Sequence, residues 1–348
     1  MISFESDYVA GAHPEILKRL AETNLECLPG YGTDRYCEQA KEKIRKFIGT
    51  DDADVELLAG GTQTNAVVIS TMLADHEGVV AAETGHISVH EAGAVEYSGH
   101  KVLELPHVEG KLRAEVLEKY LTDFYADGTH CHMVFPGMVY ISHPTVYGTM
   151  YSIAELEALS GVCRRYGARL YLDGARLGYA LASCKTDLSV SDIARLCNVF
   201  TIGGTKAGAL CGEAAVFMRG CRPDHFMTSV KKRGALLAKG RLLGVQFDAL
   251  FTDDLYMRIS GHADAMARIL KEVFADRGFE FLVDSDTNQQ FVVFDNGLME
   301  RLSEKVSFSF WEKIGSTRSA VRFATGWSTS EQDIRKLAET LDILAAGK

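Results

Sequence analysis

Residues 169–212 read RLYLDGARLGYALASCKTDLSVSDIARLCNVFTIGGTKAGALCG, and this stretch decides the fold. It holds two apolar, strand-like runs separated by a helical spacer. The first, Arg169–Leu172, ends in Asp173-Gly174-Ala175-Arg176; the second, Val199–Ile202, ends in Gly203-Gly204-Thr205-Lys206. In an open α/β sheet, ligands collect at the carboxyl ends of parallel strands. The pattern therefore delivers a carboxylate, a guanidinium and a lysine amine to one rim of one sheet.

An acid able to hold a ring nitrogen protonated, an arginine for a carboxylate and an amine for a Schiff base suggest pyridoxal phosphate (PLP). Taken singly, each residue has a plainer reading. An Asp after a strand is often a turn or N-cap residue, and a lysine is often solvated. A P-loop fails on spacing, because its Gly-Lys is followed by Ser or Thr, whereas this chain has Thr205-Lys206-Ala207. Asp173 and Lys206, each after its own strand, together outweigh the plain readings.

Upstream, Val55–Leu58 reads as a buried strand, followed by Gly60-Gly61-Thr62-Gln63-Thr64-Asn65 and an apolar helix over Ala66–Leu73. Strand, glycines and helix N-terminus in that order make an anion site, because free N–H groups and the helix dipole point outward together. Val79–Ala82 is a further strand, leading to His86 and His90 at i, i+4. That spacing suits a metal on a helix face, with Glu91 beside it, but no strong ligand set completes it. His86 is better read as an aromatic plate for a cofactor ring, with His90 structural and no metal expected. Strands at Lys101–Leu105 and Met133–Ser142 flank a helix over Arg113–Tyr125, and Ser152 with Glu155 forms a capping box. Alternating strands and helices over Val55–Phe217 predict a mostly parallel sheet covered on both faces.

At the N-terminal end, Pro14 opens a helix with Ile16, Leu17 and Leu20 on one face. A turn at Pro29-Gly30-Tyr31-Gly32 precedes a helix capped by Asp34 and stopped at Gly49. Beyond Met218 the pattern predicts long helices over Pro223–Phe251 and Asp253–Arg277. Strands then follow at Glu280–Val283, Gln290–Phe294 and Ser319–Thr325, with helices near Gly297–Lys305 and Ser330–Ala345. The division expected is a large domain with its N-terminal arm over 1–250 and a small α+β domain over 251–348.

A chain of 348 residues has material for about two domains. Its net charge of -10 gives no general attraction to nucleic acid or anionic membranes. No apolar run approaches the ~18 residues of a membrane span, and MISFESDYVAG lacks the regions of a signal peptide. Eight cysteines lie scattered without a CxxC pair, which fits a reducing compartment better than a disulfide framework. A cytoplasmic protein is expected.

With these motifs in hand, nearly the whole chain resembles the threonine aldolase family of fold type I, aspartate-aminotransferase-like PLP enzymes. The resemblance is closest to the low-specificity and phenylserine aldolase-like branch. Ser6-Asp7, Gly30-Tyr31-Gly32, GGTQTN at 60–65, DGAR at 173–176, GGTKAG at 203–208 and TDDLYMR at 252–258 carry it in one order. It implies a large domain with a mostly parallel sheet of the seven-stranded type and a small C-terminal domain. It further implies Lys206 as the Schiff-base lysine, Asp173 as the partner of the ring nitrogen and His86 as the stacked ring. Gly61 and Thr62 would cradle the phosphate, Gly60, Arg176 and Thr205 would also contact the cofactor, and Arg241 would reach the phosphate of a neighbouring subunit. Ser6, Tyr31, Arg176 and Arg322 would hold the substrate, its carboxylate above all. His143 would lie at the substrate hydroxyl and is the expected base. The family's usual assembly is a homodimer or homotetramer with active sites at subunit interfaces.

The expected activity is retro-aldol cleavage of a β-hydroxy-α-amino acid of the threonine, allo-threonine or phenylserine type, giving glycine and an aldehyde. A β-eliminating lyase or aminotransferase would use the same lysine and aspartate. Outside PLP chemistry, the alternatives are a phosphate- or nucleotide-binding module at Gly60–Thr62 and a metal hydrolase at His86, His90 and Glu91.

Overall fold

The computed structural model describes residues 2–346. A short arm strand, β1 (Ile2–Ser3), precedes the large sheet, which comprises β2 (Ala53–Leu58), β3 (Glu77–Ala82), β4 (Val102–Leu105), β5 (Phe135–Ser142), β6 (Arg169–Asp173), β7 (Val199–Gly203) and β8 (Glu213–Met218). Its order is β2-β8-β7-β6-β5-β3-β4. Neighbours run parallel except at β8, which pairs antiparallel with both β2 and β7.

Alternation along the strands builds a core on each face of the sheet. Val80, Val139, Leu172 and Phe200 join one apolar cluster, while Val79, Tyr140, Tyr171 and Val199 join the other. With both faces covered, the strands read as continuous apolar runs, which is why the sequence predicts β2 to β7 to within a few residues, although β8 is not among the expected strands. The carboxyl ends of β5 and β6 lie level, Ser142 opposite Asp173. Two glycines let the next turns close over this rim. A Cβ on Gly174 would strike the backbone of Thr201, and one on Gly203 would strike that of Ala175.

Local caps account for the flanking helices. Asp34 accepts from the N–H groups of Tyr36 and Cys37 at the start of Arg35–Ile48, which ends at Gly49 with φ +78°. The capping box of Ser152 and Glu155 opens Ile153–Tyr166. In the helix Pro14–Thr23, Ile16 is buried but Leu17 is 47% exposed, so the expected apolar face is narrower. The expected long helix over 223–251 is two, Phe226–Lys232 and Arg241–Leu250. Gly234 takes φ +68° between them, and the Ala238 carbonyl accepts from Tyr31 N at 3.0 Å instead of continuing a helix.

A smaller sheet of order β12-β13-β10-β9 follows, antiparallel throughout, from β9 (Glu280–Phe281), β10 (Gln289–Asp295), β12 (Ser309–Ile314) and β13 (Arg318–Ala324). The sequence pattern misses β12, whose half-exposed SFWEKI has neither a clean period of two nor a buried run. The remaining strand, β11 (Val306–Ser307), pairs in parallel with β1. Phe4 then enters the apolar cluster against the smaller sheet with Phe274, Phe294 and Phe323, and its backbone bonds Ser307 and Ala324 at 2.8 Å each. The arm is thus clipped to the C-terminal part of the chain. Among the described residues, no helix is long and apolar enough to cross a membrane.

Phe4 is fully buried, so Phe4→Ala should cost ~3–5 kcal/mol, as large-to-small substitutions of core aromatics do. Urea unfolding measures it, and a loss below about 1 kcal/mol would mean that the arm adds little to stability.

Candidate active site

A cavity of about 840 Å³ opens at the carboxyl rim of β6 and β7, walled on its far side by β12 and β13. Asp173, the last residue of β6, projects into it yet is only 7% exposed. Its Oδ2 accepts from Tyr140 Oη at 2.5 Å and Asn65 Nδ2 at 3.0 Å, and its Oδ1 from Ala175 N at 2.9 Å. Burial by itself would raise the pKa. The charge of His86, the bonds from Tyr140 and Asn65 and the Lys206 amine outweigh it and hold the carboxyl below the ordinary range. Asn65 is itself oriented, giving its Nδ2 also to Glu91 at 2.7 Å and receiving Tyr171 Oη at 2.5 Å. Glu91 in turn meets His86 Nδ1 at 2.7 Å. One buried polar chain therefore runs from Asp173 through Asn65 and Glu91 to His86.

Lys206 stands after β7 in the Gly203-Gly204-Thr205 turn, with its carbonyl fixed by Tyr179 Oη at 2.5 Å. Burial and Arg176 push its amine below the usual lysine pKa, against Asp7, Asp173 and Glu213. Arg176 is held by Asp7 of the arm through two bonds, of 2.7 and 3.0 Å, and Asn288 Nδ2 adds 2.9 Å to the same carboxylate. Arg322, on β13, donates to the Glu5 carbonyl and Ser309 Oγ at 3.2 Å and lies 5.7 Å over the Trp311 ring. Its Nε is buried without a partner, and burial together with Arg176 lowers its pKa. Two guanidiniums sharing one wall with a single fixed counter-ion make a site for a further carboxylate.

Gly60 begins the helix Gly61–Met72 with no side-chain cap, and a Cβ on either Gly60 or Gly61 would meet nothing within 4 Å. Both glycines and Thr62 line the cavity, so an anion has open access to the uncapped helix N-terminus. A buried amine, a buried carboxylate kept ionised and an anion cradle fit an aromatic aldehyde bearing a phosphate. These are the parts PLP requires.

Of the residues expected from sequence, Gly60, Gly61, Thr62, His86, Asp173, Arg176, Thr205, Lys206 and Arg322 share this cavity. Four stand elsewhere. Ser6 is buried behind it, its hydroxyl 3.3 Å from Asp7 Oδ1. Tyr31 is 48% exposed, with the Lys231 amine 4.6 Å over its ring. Arg241 donates to the carbonyls of Thr23 and Glu26, so its guanidinium is occupied within its own chain. His143 is fully buried and accepts from Tyr151 N at 3.3 Å. Ser142 and the run Pro144–Tyr147 line the cavity, whereas His143 is not among its lining residues and stands in the core beside it. His90, expected to be structural, lines the cavity instead. Burial, His86, Arg322 and Lys206 lower its pKa and favour neutral imidazole. Its ring lies 5.6 Å from His86, and among the described residues no group of three or more His, Cys, Asp or Glu could hold a metal ion.

Fold and cavity together define a fold type I, PLP-dependent lyase. The profile of the beta-eliminating lyase family matches residues 3–296, and the chain belongs to that family. A low specificity L-threonine aldolase from Pseudomonas sp. is 30% identical, covering 96% of this chain and 95% of that one. The structure of a threonine aldolase from Leishmania major is 40% identical with a TM-score of 0.95, covering 99% of each chain. An aspartate aminotransferase variant from Thermus thermophilus, 15% identical with a TM-score of 0.72 over 99% of this chain and 91% of that one, shares the fold.

Burial and Lys111 push His143 down to about 4, against a weaker opposite pull from Glu155. Between its unfolded value of about 6.5 and this folded one, the unfolded chain binds a proton that the folded chain does not. Stability present above that window should therefore fall as pH drops through it, by roughly 3 kcal/mol in total. His143→Asn keeps an acceptor for Tyr151 N but cannot titrate, so its urea midpoint should decline less steeply. Parallel declines would remove His143 from the acid limb.

Proposed function

We propose that this chain cleaves β-hydroxy-α-amino acids of the threonine or phenylserine type by retro-aldol chemistry, yielding glycine and an aldehyde. The observation that carries the reading is one cavity holding Lys206, Asp173, Arg176 and Arg322 together. Lys206 would carry PLP, Asp173 would pair with its ring nitrogen, His86 would stack on the ring, and Gly60, Gly61, Thr62 and Thr205 would hold its phosphate. When bound, PLP supplies an electron sink for the pair released by bond cleavage at Cα.

The chain's own residues do the rest. Arg322, with a free Nε, and Arg176 hold the substrate carboxylate, since planar guanidiniums can meet both of its oxygens. Asp173 contributes a fixed negative charge that costs no reorganisation during reaction. His90 is the imidazole placed to take the β-hydroxyl proton, and its neutral form is the basic one. Tyr147, Phe310 and Trp311 supply an apolar wall for the group on the β-carbon. The Pseudomonas relative, a low specificity L-threonine aldolase by name, supports the same substrate class. We further propose a cytoplasmic homo-oligomer. Eight free cysteines suit a reducing compartment, and Leu25 and Tyr97, each over 90% exposed, suit burial against another subunit.

Borohydride reduction of the PLP-loaded enzyme should leave a pyridoxyl adduct on Lys206, and Lys206→Ala should abolish turnover. Mass spectrometry finding the adduct on Lys231, Lys232 or Lys239 would move the site. Threonine, allo-threonine or phenylserine should yield glycine; pyruvate from serine with no glycine from any of the three would make the chain a β-eliminating enzyme. His90→Ala should lower kcat for cleavage by ~10²–10⁴-fold, the usual worth of a general base. A loss under about tenfold would leave the proton to another group.

A further inference from the structure

Strand β12 pairs with β13 in register at Ser309–Arg322 and Phe310–Val321, then slips, so that Glu312 rather than Trp311 stands opposite Ala320. Trp311 is thus the extra residue of a β-bulge. Neighbours along a regular strand face opposite sides of the sheet, whereas a bulge re-aims side chains and is used beside binding sites for that purpose. Here Trp311 and Glu312 both line the cavity that holds Lys206. The slip therefore sets a carboxylate directly after the aromatic residue that lies against Arg322.

Tyr147 fixes where that carboxylate sits. Its Oη donates to Glu312 Oε2 at 3.4 Å, while its ring meets Trp311 edge-on at 5.4 Å and stacks with His107 at 5.9 Å. Burial raises the phenol pKa, with Glu312 adding to the rise against Trp311, so Oη keeps the proton that it donates. Among the described residues, no lysine, arginine or histidine forms an ion pair with Glu312. The aromatic wall of Tyr147, Phe310 and Trp311 thus ends in a negative charge that the chain does not compensate.

We propose that Glu312 is a specificity-determining residue, selecting against amino acids whose side chain ends in an anion and in favour of those whose ring ends in a cation. The inference rests on the proposed function, in which Arg176 and Arg322 hold the α-carboxylate. A ring that leaves this clamp along Trp311 has its far end at Tyr147 and Glu312. An anion at that end meets a like charge, and an unpaired charge in the site rejects it without any contact tuned to the favoured ligand. A cation there gains a charge-assisted bond. A neutral ring end gains only burial against the aromatic wall. The clamp and Glu312 thereby read opposite ends of one ligand by opposite charge.

A trio of amino acids of nearly one shape tests this: 4-carboxyphenylalanine, 4-carbamoylphenylalanine and 4-aminomethylphenylalanine. None carries the β-hydroxyl that retro-aldol cleavage requires, so calorimetry on the full-length, PLP-loaded enzyme at neutral pH gives their Kd values directly. In the wild type the carbamoyl compound should bind about tenfold tighter than the carboxy compound, and the aminomethyl compound tighter again, the scale of one close charge pair in a partly solvated site. In Glu312→Gln both preferences should vanish, whereas Glu312→Asp, which keeps the charge, should retain their order. Should Glu312→Gln not fold, Glu312→Thr, a strand-forming residue, makes the same uncharged comparison. Equal Kd values for the trio in the wild type, or preferences unchanged in a folded uncharged variant, overturn the inference and leave the aldolase reading standing. That reading falls instead if threonine, allo-threonine and phenylserine give no glycine, an outcome measured without these ligands.

Discussion

Asp173 remains a charged carboxylate at 7% exposure because Tyr140, Asn65 and the Ala175 N–H all donate to it. An isolated buried carboxylate would take up a proton, and a protonated acid could not anchor a cationic ring nitrogen. Each donor must therefore be held, and holding them recruits the rest of the wall. Tyr140 is fixed within β5. Asn65 is fixed by Tyr171 and Glu91, and Glu91 in turn fixes His86. Truncating one member of such a network leaves the next unsatisfied, so its parts are not independent.

The arm is the second constraint. Arg176 follows β6 of the large sheet, while Asp7 comes from a segment clipped to the C-terminal part of the chain through β1, β11 and Phe4. Their doubly bonded ion pair is 12% and 0% exposed at its two side chains, and breaking a buried pair by removing one partner costs about 3–5 kcal/mol. Asn288, just before β10, donates to the same carboxylate. One set of bonds thus ties together the arm, Arg176 and the start of β10.

Features confined to one element were legible in the sequence, while features needing two were not. Asp173, Lys206 and Gly60–Thr62 each follow an apolar run, so the strand itself announces them. Asn65 sits inside a helix and Tyr140 inside a strand, and each gains meaning only from a partner distant in sequence. The bond from Asn65 to Asp173 spans 108 positions. His143 was expected at the substrate hydroxyl from the family resemblance, whereas its ring is buried in the core beside Ser142 and Pro144 of the cavity lining. Arg322 could be read on its strand, whereas its Trp311 neighbour could not, because β12 carries too little periodicity to be recognised.

That unrecognised strand bears on the choice of bond. In the proposed reading, Lys206 and Asp173 would hold the cofactor without choosing among the bonds at Cα, so the choice would fall to the walls that orient the substrate. In the proposed reaction, Arg176 and Arg322 would fix the substrate carboxylate on one side. Trp311, packed against Phe291 at 4.9 Å and Tyr147 at 5.4 Å, forms a rigid apolar surface on another. With the carboxylate clamped, rotation about the bond from nitrogen to Cα is no longer free, and the β-substituent takes whichever remaining direction the walls allow. An apolar substituent gains by lying on the Trp311 face, because that burial removes both surfaces from water. In the proposed reading, reaction type and side-chain preference would share one cause, the angle between the Arg176–Arg322 clamp and the wall of Tyr147, Phe310 and Trp311.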